Sequence, residues 1–132
     1  MNKLLLFSFL LNCFLAVSQL NISTNFRQDA VWLNDSETWD VLSTDDGGTL
    51  FEFNSELTQF KHTTETITST YFVSDWEYDE EELLYTMKVT SDVGNEYEVL
   101  IDGINECICF FKWVDEQYVM VRHAIKSSWV KE

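Results

Sequence analysis

The chain has no proline and only four glycines among its 132 residues. Without proline, no strand loses an amide donor to a ring nitrogen, so long hydrogen-bonded ladders meet no local obstacle. Gly47, Gly48, Gly94 and Gly103 therefore read as turn punctuation rather than as linker. Positive charge is also scarce: eight Lys and Arg face 23 Asp and Glu, a net charge of −15. That balance repels nucleic-acid phosphates and anionic lipid surfaces, so neither is an expected partner. Three cysteines and two histidines give little material for a disulfide framework or a metal centre. No long helical periodicity, repeat or low-complexity linker follows residue 37.

What is present begins with an export signal. Met1-Asn2-Lys3 gives a positive start, Leu4 to Val17 forms a 14-residue apolar run, and Ala16-Val17-Ser18 supplies the small residues of a cleavage site. The run is short of the roughly 20 residues a spanning helix needs, and no later segment approaches its length. Residues 1–18 are thus expected to be removed, leaving a secreted or periplasmic protein with no membrane span. The remaining 114 residues carry seven basic and 23 acidic side chains, a net charge of −16. Cys13 leaves with the signal. Asn12 before it argues against lipidation, because a small residue is expected there. Cys107 and Cys109 remain, too close in sequence for a bridge to close a useful loop. Asn21-Ile22-Ser23 and Asn34-Asp35-Ser36 match the short glycosylation pattern.

Residues 38–132 are expected to form the domain, with 19–37 as an N-terminal arm or short helix. Strand-like alternation occupies 38–43, 49–54, 57–62, 65–78, 82–91, 95–102, 106–112 and 118–125, each bounded by turn chemistry. Such short connections demand antiparallel neighbours. A bulged loop with Gly47 left-handed sets Trp39 opposite Phe53 and Val41 opposite Phe51. A similar loop at Gly94 sets Tyr85 opposite Ile101, Met87 opposite Val99 and Val89 opposite Tyr97. The turn at 79–81 sets Tyr71 opposite Val89 and Val73 opposite Met87. A four-residue loop over 102–105 sets Val99 opposite Ile108 and Tyr97 opposite Phe110. A tight turn at Asp115-Glu116 sets Phe110 opposite Val121 and Ile108 opposite His123. These turns assemble one apolar face. The expected fold is all-β: an eight-stranded antiparallel up-and-down meander barrel, with a two-sheet β-sandwich as the alternative.

The meander over residues 38–125, with Thr38-Trp39 opening its first strand, resembles the lipocalin and fatty-acid-binding type of barrel. The resemblance implies a small apolar ligand held inside. On that reading the interior site comprises Trp39, Phe51, Phe53, Tyr71, Tyr85, Met87, Tyr97 and Phe110. Arg122 joins them if a bulge turns the last hairpin inward, where it would hold a ligand carboxylate. In the default register Arg122 instead lies outside with Cys109, Phe111, Trp113, Tyr118 and Met120. That apolar patch then needs cover from the N-terminal arm or from residues 125–130.

Other candidate chemistry is thin. Cys107 and Cys109 share one strand face, suited to a soft metal or a redox pair, but His123 falls on the opposite face. His62 reads as a surface residue near a turn. The acidic run Asp75, Glu77, Asp79, Glu80, Glu81 and Glu82 lacks the spacing of a calcium loop and reads as a solvated hairpin tip. No acid, base and nucleophile converge in a recognisable motif, so no enzyme, cofactor or metal is expected. The expected function is non-catalytic binding of a small hydrophobic or amphipathic ligand. The alternative is an acidic protein-binding module or inhibitor of a basic secreted protein, similar in size and style to small exported lysozyme inhibitors.

Overall fold

The computed structural model describes residues 19–131; the expected signal, residues 1–18 with Cys13, lies outside the described residues. Nine strands make up the fold: β1 Gln19–Leu33, β2 Thr38–Asp45, β3 Leu50–Phe53, β4 Gln59–Thr63, β5 Thr68–Asp79, β6 Leu84–Ser91, β7 Glu96–Asp102, β8 Cys107–Val114 and β9 Gln117–Lys131. Every pairing is antiparallel, and β1 bonds to both β3 and β9. The strands β1 and β3 to β9 therefore close an eight-stranded barrel, with β2 outside the ring. The fold is all-β and closed, as the alternation implied, and it is not a two-sheet sandwich.

The expected arm is the main correction. Residues 19–33 are a ring strand, pairing with β9 from Gln19↔Lys131 to Val31↔Val119. Residues 125–130 belong to that same ladder and are not a free tail. The expected hairpin between 38–43 and 49–54 does not form. On its other edge β1 is long enough to seat two short strands in succession. Leu20–Ser23 pair with β3, and Arg27–Leu33 pair with β2. Trp39 thus faces Trp32 rather than Phe53, and Phe51 faces Ile22 rather than Val41. Gly47 is not left-handed; the left-handed glycine is Gly94, at φ 90°. Gly48 has a different task. A Cβ there would sit 2.6 Å from the Thr24 carbonyl oxygen, so the chain crosses from β2 to β3 hard against β1.

The later hairpins follow the predicted turns more closely. β6 and β7 pair Tyr85↔Ile101, Met87↔Val99 and Val89↔Tyr97, and β8 and β9 pair Phe110↔Val121 and Ile108↔His123, as expected. Two registers differ by two residues over part or all of their length: Tyr71 faces Ser91 and Val73 faces Val89, while Val99 faces Phe110 and Ile101 faces Ile108. A shift of two keeps these side chains on their face. Beyond Val73 a bulge makes the shift three, so that Trp76 and Tyr78, rather than Asp75 and Glu77, lie opposite the core residues Met87 and Tyr85. That core packs Leu20, Ile22, Phe51, Phe53, Leu57, Phe60, Tyr85, Met87, Val99, Ile101 and Ile108, each no more than 2% exposed. At this barrel size side chains fill the interior.

The barrel wall is incomplete along β5. Residues 68–72 pair with β4, whereas residues 75–79 pair only with β6. Asp75, Glu77, Asp79 and the turn acids Glu80 to Glu82 are exposed along and beyond this free edge. Like charges there oppose edge-to-edge association, which gives the acidic run a structural role.

Candidate functional site

Three turns, at 64–67, 92–95 and 115–116, mark one end of the barrel. Beneath that rim the filled core gives way to a pocket of about 140 Å³ lined by Arg27, His62, Tyr71, Tyr97, Phe110, Val121 and His123. Each comes from a different strand except His123 and Val121, which alternate on β9. Arg27 reaches the pocket because β1 is a ring strand. It is the cross-strand partner of His123, and Asp29 follows two residues later. Arg27 donates from Nε and Nη2 to the Asp29 carboxylate, the shortest contact being 2.8 Å, and Ser43 of β2 donates to the same carboxylate. At this exposure the ion pair itself contributes only about 0–1 kcal/mol. Its larger effect is to hold the guanidinium at the rim.

The pocket floor is aromatic. His62 stacks on Phe51 with ring centroids 4.1 Å apart, and His123 meets His62 edge-on at 5.0 Å. Phe110 touches Tyr71, Tyr97 and both histidine rings. His62 Nε2 lies 2.9 Å from Thr49 Oγ1, which in turn lies 2.9 Å from Thr24 Oγ1. This chain of hydrogen bonds ties β4 to β1 at the crossing beside Gly48. His123 Nδ1 has no such partner. The residue is 2% exposed and its Nδ1 is buried without a hydrogen bond.

Electrostatics keep both imidazoles neutral. Burial, reinforced by the nearby Arg27 charge, lowers His62 to about 4. Burial, then His62 and Arg27, lower His123 to about 3 against the opposing pull of Asp29. Asp29 feels burial pushing its pKa up, but its hydrogen bonds and ion pair with Arg27 prevail and lower it. The site thus offers one fixed cation, two neutral imidazoles, two tyrosines and an apolar wall. Burial raises Tyr71 further above its ordinary value.

The nine interior residues expected from sequence divide between two places. Phe51, Phe53, Tyr85, Met87 and Phe110 are buried in the solid core, and Tyr71 and Tyr97 pack against it and line the pocket. Trp39 is not inside. It lies on β2 and packs on Trp32, Phe111 and Tyr118, so β2 supplies part of the cover the outer patch was expected to need. Arg122 is also outside, paired with Cys109, bonded to Gln28 and set over the Phe26 ring. No bulge turns it inward, because the tight turn at Asp115-Glu116 holds β8 and β9 in simple alternation. His62, read as a surface residue, is instead half-buried in the pocket. Arg27 escapes a reading in which β1 has no partner, whereas His123 already falls opposite Ile108 on the apolar face and lacks only its pocket neighbours.

Two further candidates are settled by burial. Asn21 is 4% exposed in the middle of the sheet, opposite Glu52 of β3 and Trp129 of β9, so it offers no accessible glycan acceptor. Cys107 and Cys109 lie on the outer face of β8, away from His123, and among the described residues no group of three His, Cys, Asp or Glu is placed to hold a metal. The chain matches no family model, no curated protein and no solved structure.

Proposed function

We propose that this chain is a non-catalytic binding protein for a small amphipathic molecule, held in the rim pocket rather than in the barrel interior. The observation that carries the reading is a pocket of about 140 Å³ with aromatic walls, lined by Arg27 and by His123, whose buried Nδ1 has no partner. A buried polar atom without a partner costs about 1–3 kcal/mol, which a ligand supplying the missing hydrogen bond recovers. The volume corresponds to about four or five water molecules. It is below the roughly 300 Å³ at which drug-sized pockets begin. A ring or short chain with a carboxylate head fits these terms: the apolar part against Tyr71, Tyr97 and Phe110, the head between Arg27 and His123. Arg27 uses Nε and Nη2 on Asp29, and Nη1 takes no part in that pairing. Neither histidine adjoins a serine or cysteine nucleophile, which supports binding without catalysis. An exported, secreted or periplasmic setting belongs to the same proposal.

Displacement of a solvatochromic dye, backed by native mass spectrometry, tests it with benzoate and palmitate as probes. Benzoate is expected to bind, and Arg27→Gln and His123→Phe to weaken it by about tenfold each. Binding of palmitate alone, or of neither probe, would contradict the rim site.

A second reading rests on a separate observation. The free edge of β5 carries Asp75, Glu77 and Asp79 beside Trp76, which is 36% exposed. An extended basic segment of a partner protein could add there as a strand, with carboxylates meeting its cations. Association that slows steeply with added salt supports this reading; a salt-independent rate counts against it.

A further inference from the structure

Cys107 and Cys109 have no role in the rim pocket. Their Sγ atoms lie 3.7 Å apart on the outer face of β8, and the residues are 4% and 7% exposed. Alternation along the strand puts both thiols on one side, and the guanidinium of Arg122 projects over the same face from β9. Arg122 is partly exposed, bonded to Gln28 and set over the Phe26 ring, and its charge acts on both thiols.

We infer that this pair is a thiol-exchange site: one thiol takes up a small-molecule disulfide and the other resolves it, leaving a labile bond within β8. The first attacks as thiolate on one sulfur of RSSR, forming the mixed disulfide and expelling RS⁻. That thiolate takes the proton of the second cysteine through solvent. The second cysteine then attacks the sulfur of the first, closing the intrastrand bond and releasing the second RS⁻. The protein dithiol is oxidised by two electrons and RSSR is reduced to two thiols.

The hydrogen bond between the two thiols, aided by the Arg122 charge, lets the pair give up one proton readily and retain the second. Strand geometry sets the lability. Residues two apart in a strand have Cα atoms about 6.6 Å apart, near the upper limit for a disulfide, so the bond forms under strain and reduces easily.

The test uses the full chain after export processing, incubated with glutathione disulfide at pH 7 and analysed by intact mass. Wild type is expected to lose two hydrogens, and a small excess of reduced glutathione to restore them. Cys107→Ser and Cys109→Ser should each trap the glutathione adduct on the thiol that remains, neither completing the bond. Arg122→Gln should slow the first step by about three- to tenfold, since the lost thiolate fraction is partly offset by a more nucleophilic sulfur. Far-ultraviolet circular dichroism confirms that each variant is folded. Failure of the folded wild type to lose two hydrogens, or absence of an adduct on both single variants, overturns the inference.

Discussion

Acidification should destabilise this barrel earlier than a carboxylate-dominated protein would suggest, because two imidazoles are buried neutral. His62 and His123 hold pKa values of about 4 and about 3 in the folded chain, against an ordinary value of 6.5. Below pH 6.5 the unfolded chain binds protons that the folded chain refuses, so stability falls as pH falls, until the folded histidines themselves titrate. Each pH unit well below 6.5 costs about 1.4 kcal/mol per histidine. Because the unfolded imidazoles are only half protonated at pH 6.5, the pair removes about 3 kcal/mol between pH 6.5 and pH 5, a large part of the 5–15 kcal/mol typical of a small domain. Urea denaturation at pH 7.5, 6 and 5 measures the loss. His123→Phe isolates its source: the ring keeps its contacts with Phe51 and Phe110, can expand toward the adjacent pocket, and no longer titrates. The variant should lose about half of the acid slope. Relief of self-repulsion among the acidic side chains acts on both proteins alike and cancels in the comparison. An unchanged slope in the variant, or histidine resonances of the folded protein titrating near pH 6.5, would refute the reasoning.

Other outcomes follow from single positions. Gly48→Ala puts a Cβ 2.6 Å from the Thr24 carbonyl oxygen and should cost about 1–3 kcal/mol in chemical denaturation. A cost below 0.5 kcal/mol would mean that the crossing is looser than described. Tyr85→Phe removes a buried hydroxyl that has no partner and whose pKa burial raises to about 12, so stability should rise by about 1 kcal/mol. Asp115 and Glu116 both have positive φ, at 48° and 68°. Replacing them with Asn and Gly should stabilise the β8–β9 turn by about 1 kcal/mol and raise the melting temperature by several degrees.

Alternation and turn residues made most of the barrel legible before its structure. Gly94 and the Asp115-Glu116 pair fix two registers outright, because a left-handed glycine or a two-residue turn leaves one geometry open. The other two later hairpins slipped where non-glycine residues take the left-handed conformation, by three residues at the turn with Leu83 (φ 50°), one of them taken up by the bulge after Val73, and by two at the turn with Glu106 (φ 53°). Side-chain chemistry does not flag such residues. The first hairpin failed for a different reason. Trp39 and Val41 alternate as well against β1 as against β3, and local pattern cannot choose between partners. Once β1 entered the ring, Arg27 and Asp29 came to the rim and the site acquired its charge. Seven of the expected interior residues do face the core or the pocket, whereas Trp39 and Arg122 lie outside, so the core was more legible than the site.

The central claim is that a ligand completes the unpartnered His123 at the barrel rim. The most direct measurement is long-range ¹H–¹⁵N correlation spectroscopy of the histidine side chains during titration with benzoate. The account predicts a saturable shift of His123 Nδ1 in the wild type, weakened in Arg27→Gln, with Tyr71 and Tyr97 ring resonances moving at the same concentrations. Benzoate binding that leaves His123 unshifted, or no binding at all, would contradict it.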